Sequence, residues 1–225
     1  MYWSITGTTS YLTQAEGVWN WSTSLTDGSR RHTKGNALVA TEGDEAPSLV
    51  YYDGPVIGGC GGGSTSFYTY NSGVMLAAAG ALYSATKNES YLTSGNATLN
   101  AFINGNALLS QENNNNGNPF QTSGILTEPT CDSSACTGND NAWSFKGILM
   151  RGVQYFLDAA DDPALTSLYS TWIGYQAAAI TKYAQASDGD VGNVWYETTA
   201  NQVYNPASLG MAVNAGNLAA KVGHE

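Results

Sequence analysis

The sequence predicts an all-α fold of helical hairpins set in inner and outer layers and joined by long loops. Three observations predict it: a repeated hairpin turn, apolar stripes of helical period, and one segment that is small or apolar on every side. Residues 4–13 read SITGTTSYLT and residues 84–93 read SATKNESYLT, matching at six of ten positions at an offset of 80. Self-similarity at a fixed spacing marks a repeated supersecondary unit. Both copies fit a helix end, a short polar turn and the start of a second helix. A looser third copy runs Leu157-Asp158-Ala159-Ala160-Asp161-Asp162-Pro163. There Asp162 can cap the new helix and Pro163 suits its first turn.

The helices follow in order. Residues 2–5 read as the end of a helix that starts upstream. Residues 74–81 (VMLAAAGA) predict a helix buried on all sides, whose small residues let neighbours approach closely. Leu99, Phe102, Ile103 and Leu109 form a weak stripe. Phe145, Ile148, Leu149 and Phe156 form a stronger one, and Leu165, Leu168, Tyr169, Trp172, Ile173 and Ile180 another. Asn205 and Pro206 look like a cap and first turn. Leu209, Ala212, Val213, Gly216 and Ala220 then form the expected buried face. A fully buried helix alternating with amphipathic ones gives inner and outer layers, the logic of a toroid of hairpins. A four-helix bundle is the alternative, but its loops are usually short. Here residues 26–70, 113–141 and 187–205 are long connections, and long loops on a rigid scaffold tend to carry function. Within the first, Leu49-Val50-Tyr51-Tyr52 reads as a short strand before an Asp53-Gly54 turn.

Composition narrows the partners. Hydrophobic residues make up 42% of the 225, enough for one substantial core and too many for a disordered chain. The formal net charge is -10, with only 8 Lys and Arg, so nucleic acid and anionic membrane surfaces are not expected as partners. The one dense basic cluster, Arg30, Arg31, His32 and Lys34, reads as a solvated loop. No run of about 18 apolar residues marks a membrane span, and no signal peptide is read at Met1. Neutral ligands such as glycans stay open.

Three sequons, at Asn20, Asn88 and Asn96, are candidate glycosylation sites and point weakly to secretion. Of the cysteines, Cys60, Cys131 and Cys136, the last two stand close enough to pair if their loop curls back. Three connectivities pair two of three, leaving a free thiol or an outside partner. His32 and His224 stand alone, so neither a metal nor a cofactor is expected. The glycine-dense residues 58–63 lack the Gly-Lys-Ser/Thr ending of a phosphate loop. Residues 113–118 read as an exposed loop tip without function.

Two segments place aromatic, amide and charged groups where a loop enters a helix. They are residues 67–73 (FYTYNSG) and 131–147 (CDSSACTGNDNAWSFKG). Sugar binding uses such a set: aromatic rings cover the apolar face of a pyranose, and Asn, Asp and Lys read its hydroxyls. A local reading competes, with Asn71 and Asn139 as helix caps and Tyr70 and Phe145 as core.

At these residues the chain resembles glycoside hydrolase family 76, the endo-α-1,6-mannanases and their fungal cell-wall relatives. The ordered set is Trp19-Asn20-Trp21, Tyr52-Asp53-Gly54, Cys60, Tyr70-Asn71-Ser72-Gly73, Cys131 to Cys136, Asp140, Phe145-Lys146 and Val194-Trp195-Tyr196. The resemblance is to the C-terminal half of that family's domain and covers nearly all of residues 1–225, which read as the C-terminal portion of a single domain. It implies a partial (α/α)6 barrel and an α-mannan or other mannose-containing glycan as partner. It implies glycoside hydrolysis, or a related cell-wall glycan transfer, in a secreted or cell-wall protein. The cleft-wall positions that match are Asp53, Tyr70, Asn71, Asp140, Phe145 and Lys146, and Lys146 with Asp140 reads equally well as a structural ion pair. The reaction needs two carboxylates about the scissile bond. The family's adjacent Asp pair lies in the first half of its domain, so no catalytic residue is expected here. Asp161-Asp162 and Asp44-Glu45 sit in the wrong context for that work. The family's further cysteine pair near the last loop has no counterpart here. A chain lacking the pair is expected to be inactive alone. A non-catalytic glycan-binding protein is the alternative, and a helical scaffold for a protein partner a third reading.

Overall fold

The computed structural model describes residues 7–23, 37–40, 48–51, 53, 68–104, 120–128, 131–132, 140–199 and 202–223. Several features read from the sequence lie outside them: residues 1–6, the basic cluster at 30–34, Asp44 and Glu45, Tyr52, Gly54, residues 58–63 with Cys60, Leu109, residues 113–118, Cys136, Asn139 and His224. The described elements are helix α1 (Thr9–Thr23), strands β1 (Ala37–Ala40) and β2 (Ser48–Tyr51), helices α2 (Thr69–Thr86) and α3 (Ser90–Asn104), and strands β3 (Gln121–Thr122) and β4 (Ile125–Leu126). A 3-10 turn (Asp140–Ser144) then leads into α4 (Phe145–Ala160), followed by α5 (Pro163–Ala179), a π-helical turn (Ile180–Ala184) and α6 (Pro206–Lys221). Helix therefore dominates, as the stripes predict. Of the strand read at 49–52, residues 49–51 lie in β2, which pairs antiparallel with β1, a partner the sequence did not reveal. No helix among the described residues is long and apolar enough to cross a membrane.

The repeat has a backbone meaning. Gly7 and Lys87, which stand at the same place in the two copies, both adopt left-handed φ, 65° and 58°. Asp161 in the looser third copy does the same at 50°. At Lys87 and Asp161 the left-handed residue donates its N–H back to Tyr83 and Leu157, closing one helix, and a new helix opens two or three residues later. Asp162 caps α5, accepting from the N–H groups of Ala164 and Leu165 at 2.8 and 3.3 Å, with Pro163 at the first helical position. Asp162→Ala is expected to lower stability by about 1 kcal/mol in urea unfolding.

Glycines place the helices. A Cβ on Gly73 would meet the backbone of Ile148 and Leu149, and one on Gly80 would meet the backbone of Tyr155 and Phe156. So α2 and α4 run parallel at close range. Gly147 likewise lies against Met211, and Lys221 pairs with Asp158, so α4 and α6 also run parallel. Helices α3 and α5 return antiparallel on the outside and touch through the Tyr169 hydroxyl and Asn96. Parallel α2, α4 and α6 as one layer, with the return helices as the other, is the architecture of part of an (α/α)6 toroid. Leu76, Leu99, Phe102, Leu149, Val153, Phe156, Ile173 and Met211 fill the space between the layers.

Three expectations are corrected. Residues 74–81 are not buried all round: Val74 is 54% exposed and Ala81 is also exposed. Within them Gly80 serves the close approach to α4. Leu168 is 67% exposed, off the edge of a stripe whose other members are buried. Along α6 the buried face is Ser208, Met211, Ala215, Leu218 and Ala219, while Leu209, Val213, Gly216 and Ala220 face outward and Ala212 is half-buried. The contact of Gly147 with Met211 fixes that rotation, and the capping box between Asn205 and Ser208 anchors it.

Candidate functional site

The parallel arrangement brings the first residues of α2 and α4 side by side. Tyr70 and Phe145, each in the first turn of its helix, place their rings 4.4 Å apart at 42°. Tyr68 joins them, edge-on to Phe145 at 5.4 Å and stacked near Tyr70 at 6.1 Å. All three rings are half-buried, so each keeps an open part. Asp53 comes in from the loop before α2. Its Oδ1 accepts from the Tyr70 hydroxyl and from Asn71 Nδ2, the latter at 3.3 Å. Burial, with the Asp53 hydrogen bond behind it, raises the Tyr70 phenol above its ordinary value. Asp53, Tyr70, Asn71 and Phe145 thus share one cluster: a carboxylate and an amide at the margin of an aromatic ledge.

Lys146 takes another place. It follows Phe145 on α4 but is 1% exposed. Its ammonium lies 2.7 and 2.8 Å from the two oxygens of Asp132, donates to the Asn193 carbonyl at 2.6 Å, and sits 4.7 Å from the Trp195 ring centre. Its ion-pair partner is therefore Asp132. Asp140 opens the 3-10 turn ahead of α4. Burial pushes the Asp132 carboxyl up and the Lys146 ammonium down, and their contact opposes both shifts.

Beside this pair lies Glu128, also 1% exposed. Its Oε2 accepts from the N–H and the hydroxyl of Thr69 at 3.1 and 2.5 Å, and Asp132 Oδ2 accepts from the Glu128 N–H at 2.9 Å. One ammonium cannot neutralise two buried carboxylates, and burial holds the Glu128 carboxyl up to about 8. Glu128 Oε1 has no partner among the described residues. The network continues through Asn193, which donates to the Cys131 carbonyl at 3.1 Å and accepts from the Val203 N–H at 2.8 Å. Cys131 is disulfide-bonded.

Tyr68, Glu128, Asp132 and Asn193 were missed by sequence reasoning. Asp132 lay inside a segment already singled out, and its place beside a cysteine was the available signal. Glu128 follows the apolar pair Ile125-Leu126 in a loop without periodicity, where nothing in the sequence separates it from a solvated acid. Among the described residues no three His, Cys, Asp or Glu side chains converge as a metal would require. Of the sequons, Asn20 is exposed, Asn88 is exposed and holds the Ser90 N–H, and Asn96 is half-buried and accepts from the Tyr169 hydroxyl. Asp161 and Asp162 are spent on the α4–α5 turn and are remote in role from the aromatic ledge.

Residues 3–223 match the model of glycosyl hydrolase family 76. No curated protein matches the sequence. Among solved structures, the GH76A α-1,6-mannanase from Salegentibacter sp. HEL1_6 superposes with TM-score 0.63 at 18% identity, over 98% of this chain and 55% of that one. The Lin0763 protein from Listeria innocua gives TM-score 0.67 at 19% identity, over 98% and 51%. Dfg5 from Chaetomium thermophilum, in complex with glucosamine, gives 0.66 at 17%, over 96% and 47%. An inactive variant of the Salegentibacter enzyme in complex with α-1,6-mannotriose gives 0.64 at 18%, over 98% and 55%. The chain spans about half the length of these structures.

Proposed function

The chain belongs to glycosyl hydrolase family 76, and from that premise we propose that it forms the C-terminal portion of an (α/α)6 glycoside hydrolase domain acting on α-1,6-linked mannan. In this reading its part is to bind the glycan. The single observation that carries it is the ledge of Tyr68, Tyr70 and Phe145 edged by Asp53 and Asn71. A pyranose presents C–H groups on one face and hydroxyls around its rim. The ledge offers partly exposed rings for the first and a carboxylate and amide for the second. Phe145 has no polar atom and can contribute only through ring contact. Asp140, at the start of the turn into α4, belongs to the same entrance. Lys146 acts from beneath, by holding the turn at residues 131–132 and the loop at 193–195 to the start of α4.

Hydrolysis needs an acid and a second carboxylate across the bond. Among the described residues the Asp162 side chain is engaged in capping, Asp161 lends its backbone to the same turn, and Glu128 and Asp132 are buried. In this reading the catalytic role falls to none of the described residues, and the chain alone should bind without cutting. The complex of the inactive Salegentibacter variant with α-1,6-mannotriose supports the choice of ligand. The disulfide at Cys131 suits an oxidising compartment, and with the sequons it supports secretion or residence in a cell wall.

Calorimetry with α-1,6-mannotriose tests the reading. Binding is expected for the wild type, weakened about tenfold or more by Tyr70→Ala, the loss of one good ring contact with its hydroxyl. Asp53→Asn should weaken it less, because the amide still accepts from Tyr70. Equal affinity in all three proteins, or no heat with any mannan oligosaccharide, would overturn it. Release of reducing ends by this chain alone would move catalysis back into it.

A further inference from the structure

Helix α2 begins without a local cap. Tyr68 precedes it in extended conformation, and no side-chain bond from Tyr68 meets the first turn. Yet the first N–H groups of a helix need acceptors, above all when buried. Thr69 is fully buried, and both its N–H and its hydroxyl turn to one oxygen of Glu128, a residue 59 positions away. Tyr70 and Asn71 come next in the chain, and they are the groups that meet Asp53.

We propose that Glu128 is a positioning residue for the glycan-facing ledge: by holding Thr69 it fixes the first turn of α2, so that Tyr70 and Asn71 meet Asp53 and Phe145. The proposal rests on the glycan-binding reading for its functional consequence, though not for its structural one. Three features argue for a positioning role over mere packing. The Glu128 carboxyl touches the backbone of the residue directly before Tyr70. Its own turn is held by Asp132, and Asp132 is held by Lys146, the residue directly after Phe145. One buried chain of contacts, Thr69–Glu128–Asp132–Lys146, therefore runs beneath the ledge and ties the helix carrying Tyr70 to the helix carrying Phe145. A carboxylic acid is also a costly choice for a purely structural plug, because an apolar side chain of the same size would fill the space without a polar atom to satisfy. The groups facing Glu128 are Thr69 from α2, Asp132 from its own turn and Lys146 from α4.

The test reads the phenol of Tyr70 by NMR with ring-labelled tyrosine, assigned by loss of its signal in Tyr70→Phe. In the wild type Tyr70 should titrate above an ordinary tyrosine. In Glu128→Ala it should move back toward the ordinary value, and mannotriose affinity should fall about tenfold. Glu128→Gln, which keeps an acceptor for Thr69, should hold both close to wild type. Thr69→Val, which keeps the shape and loses the hydroxyl, should fall between, and it reads the same link if Glu128→Ala fails to fold. An unchanged Tyr70 titration in folded Glu128→Ala or Thr69→Val would overturn the proposal. So would a Glu128→Gln protein that behaves like Glu128→Ala. The titration needs no sugar, so a wild type that binds no mannotriose would sink the functional reading and leave this test intact.

Discussion

Lys146→Met is expected to cost about 3–5 kcal/mol, the usual penalty for removing one partner of a buried ion pair. A domain's whole stability is about 5–15 kcal/mol, so the variant stands near the threshold of folding. Methionine fills most of the space, and the loss is electrostatic. Asp132 would keep the Glu128 N–H but lose both contacts to the ammonium, and the Asn193 carbonyl would lose a donor. The pH dependence carries a definite sign. Without Lys146 the Asp132 carboxyl has only burial acting on it from this side, so its folded value rises further above that of the unfolded chain. A group raised in this way favours folding at low pH and loses that contribution as pH rises through the folded value. The deficit of Lys146→Met relative to wild type should therefore be larger at pH 7 than at pH 5. Adding Asp132→Asn should recover much of it, because the buried charge then goes with its partner while the amide still accepts from Glu128. Urea unfolding of the two single variants and the double closes the cycle. A cost under about 1 kcal/mol for Lys146→Met, the range of an exposed pair, would mean that the pair is solvated.

That network shows where sequence reading stops. Helical hairpins were legible because they are written locally: a polar turn, a left-handed residue and a new start recur at Gly7, Lys87 and Asp161. The ledge was legible in part. The matched positions carried Asp53, Tyr70, Asn71 and Phe145 as a set, and those four meet. Lys146 matches the same set in sequence, but a residue one step along a helix points about 100° away, and this one points inward. Its partner is a matter of which loop lies beneath, and loops carry no period. Glu128 is harder still, since its contact with Thr69 joins two non-repeating stretches. On α6 the apolar pattern admits two faces, Leu209 with Val213 or Met211 with Ala215. A glycine on a different helix decides between them.

Gly152→Ala is expected to cost about 3 kcal/mol or more, at or beyond the upper end for overpacking. A Cβ at Gly152 would lie 2.0 Å from the Gly73 carbonyl oxygen and 2.8 Å from its Cα. Those are main-chain atoms inside a helix, and no side chain can swing aside. Relief requires α2 and α4 to separate by more than an ångström along the contact that Gly73 and Gly80 also serve. Helix propensity acts in the opposite direction, favouring alanine over glycine by about 1 kcal/mol, and is too small to offset the clash. The control is Gly216→Ala in α6, where a Cβ meets nothing within 4 Å. That change should be neutral or stabilising by up to about 1 kcal/mol. A thermal melt of each separates them: at about 2–4 °C per kcal/mol for a chain of this size, the two midpoints should differ by several degrees or more. The consequence reaches the ledge, because Tyr70 and Phe145 sit at the near ends of these two helices and touch only while the helices do. If the chain binds glycan as proposed, a Gly152→Ala protein that still folds should therefore lose mannotriose affinity at temperatures well below its melt. If it kept both its melting temperature and its affinity, the backbone contact between α2 and α4 would not be what holds the aromatic rings together.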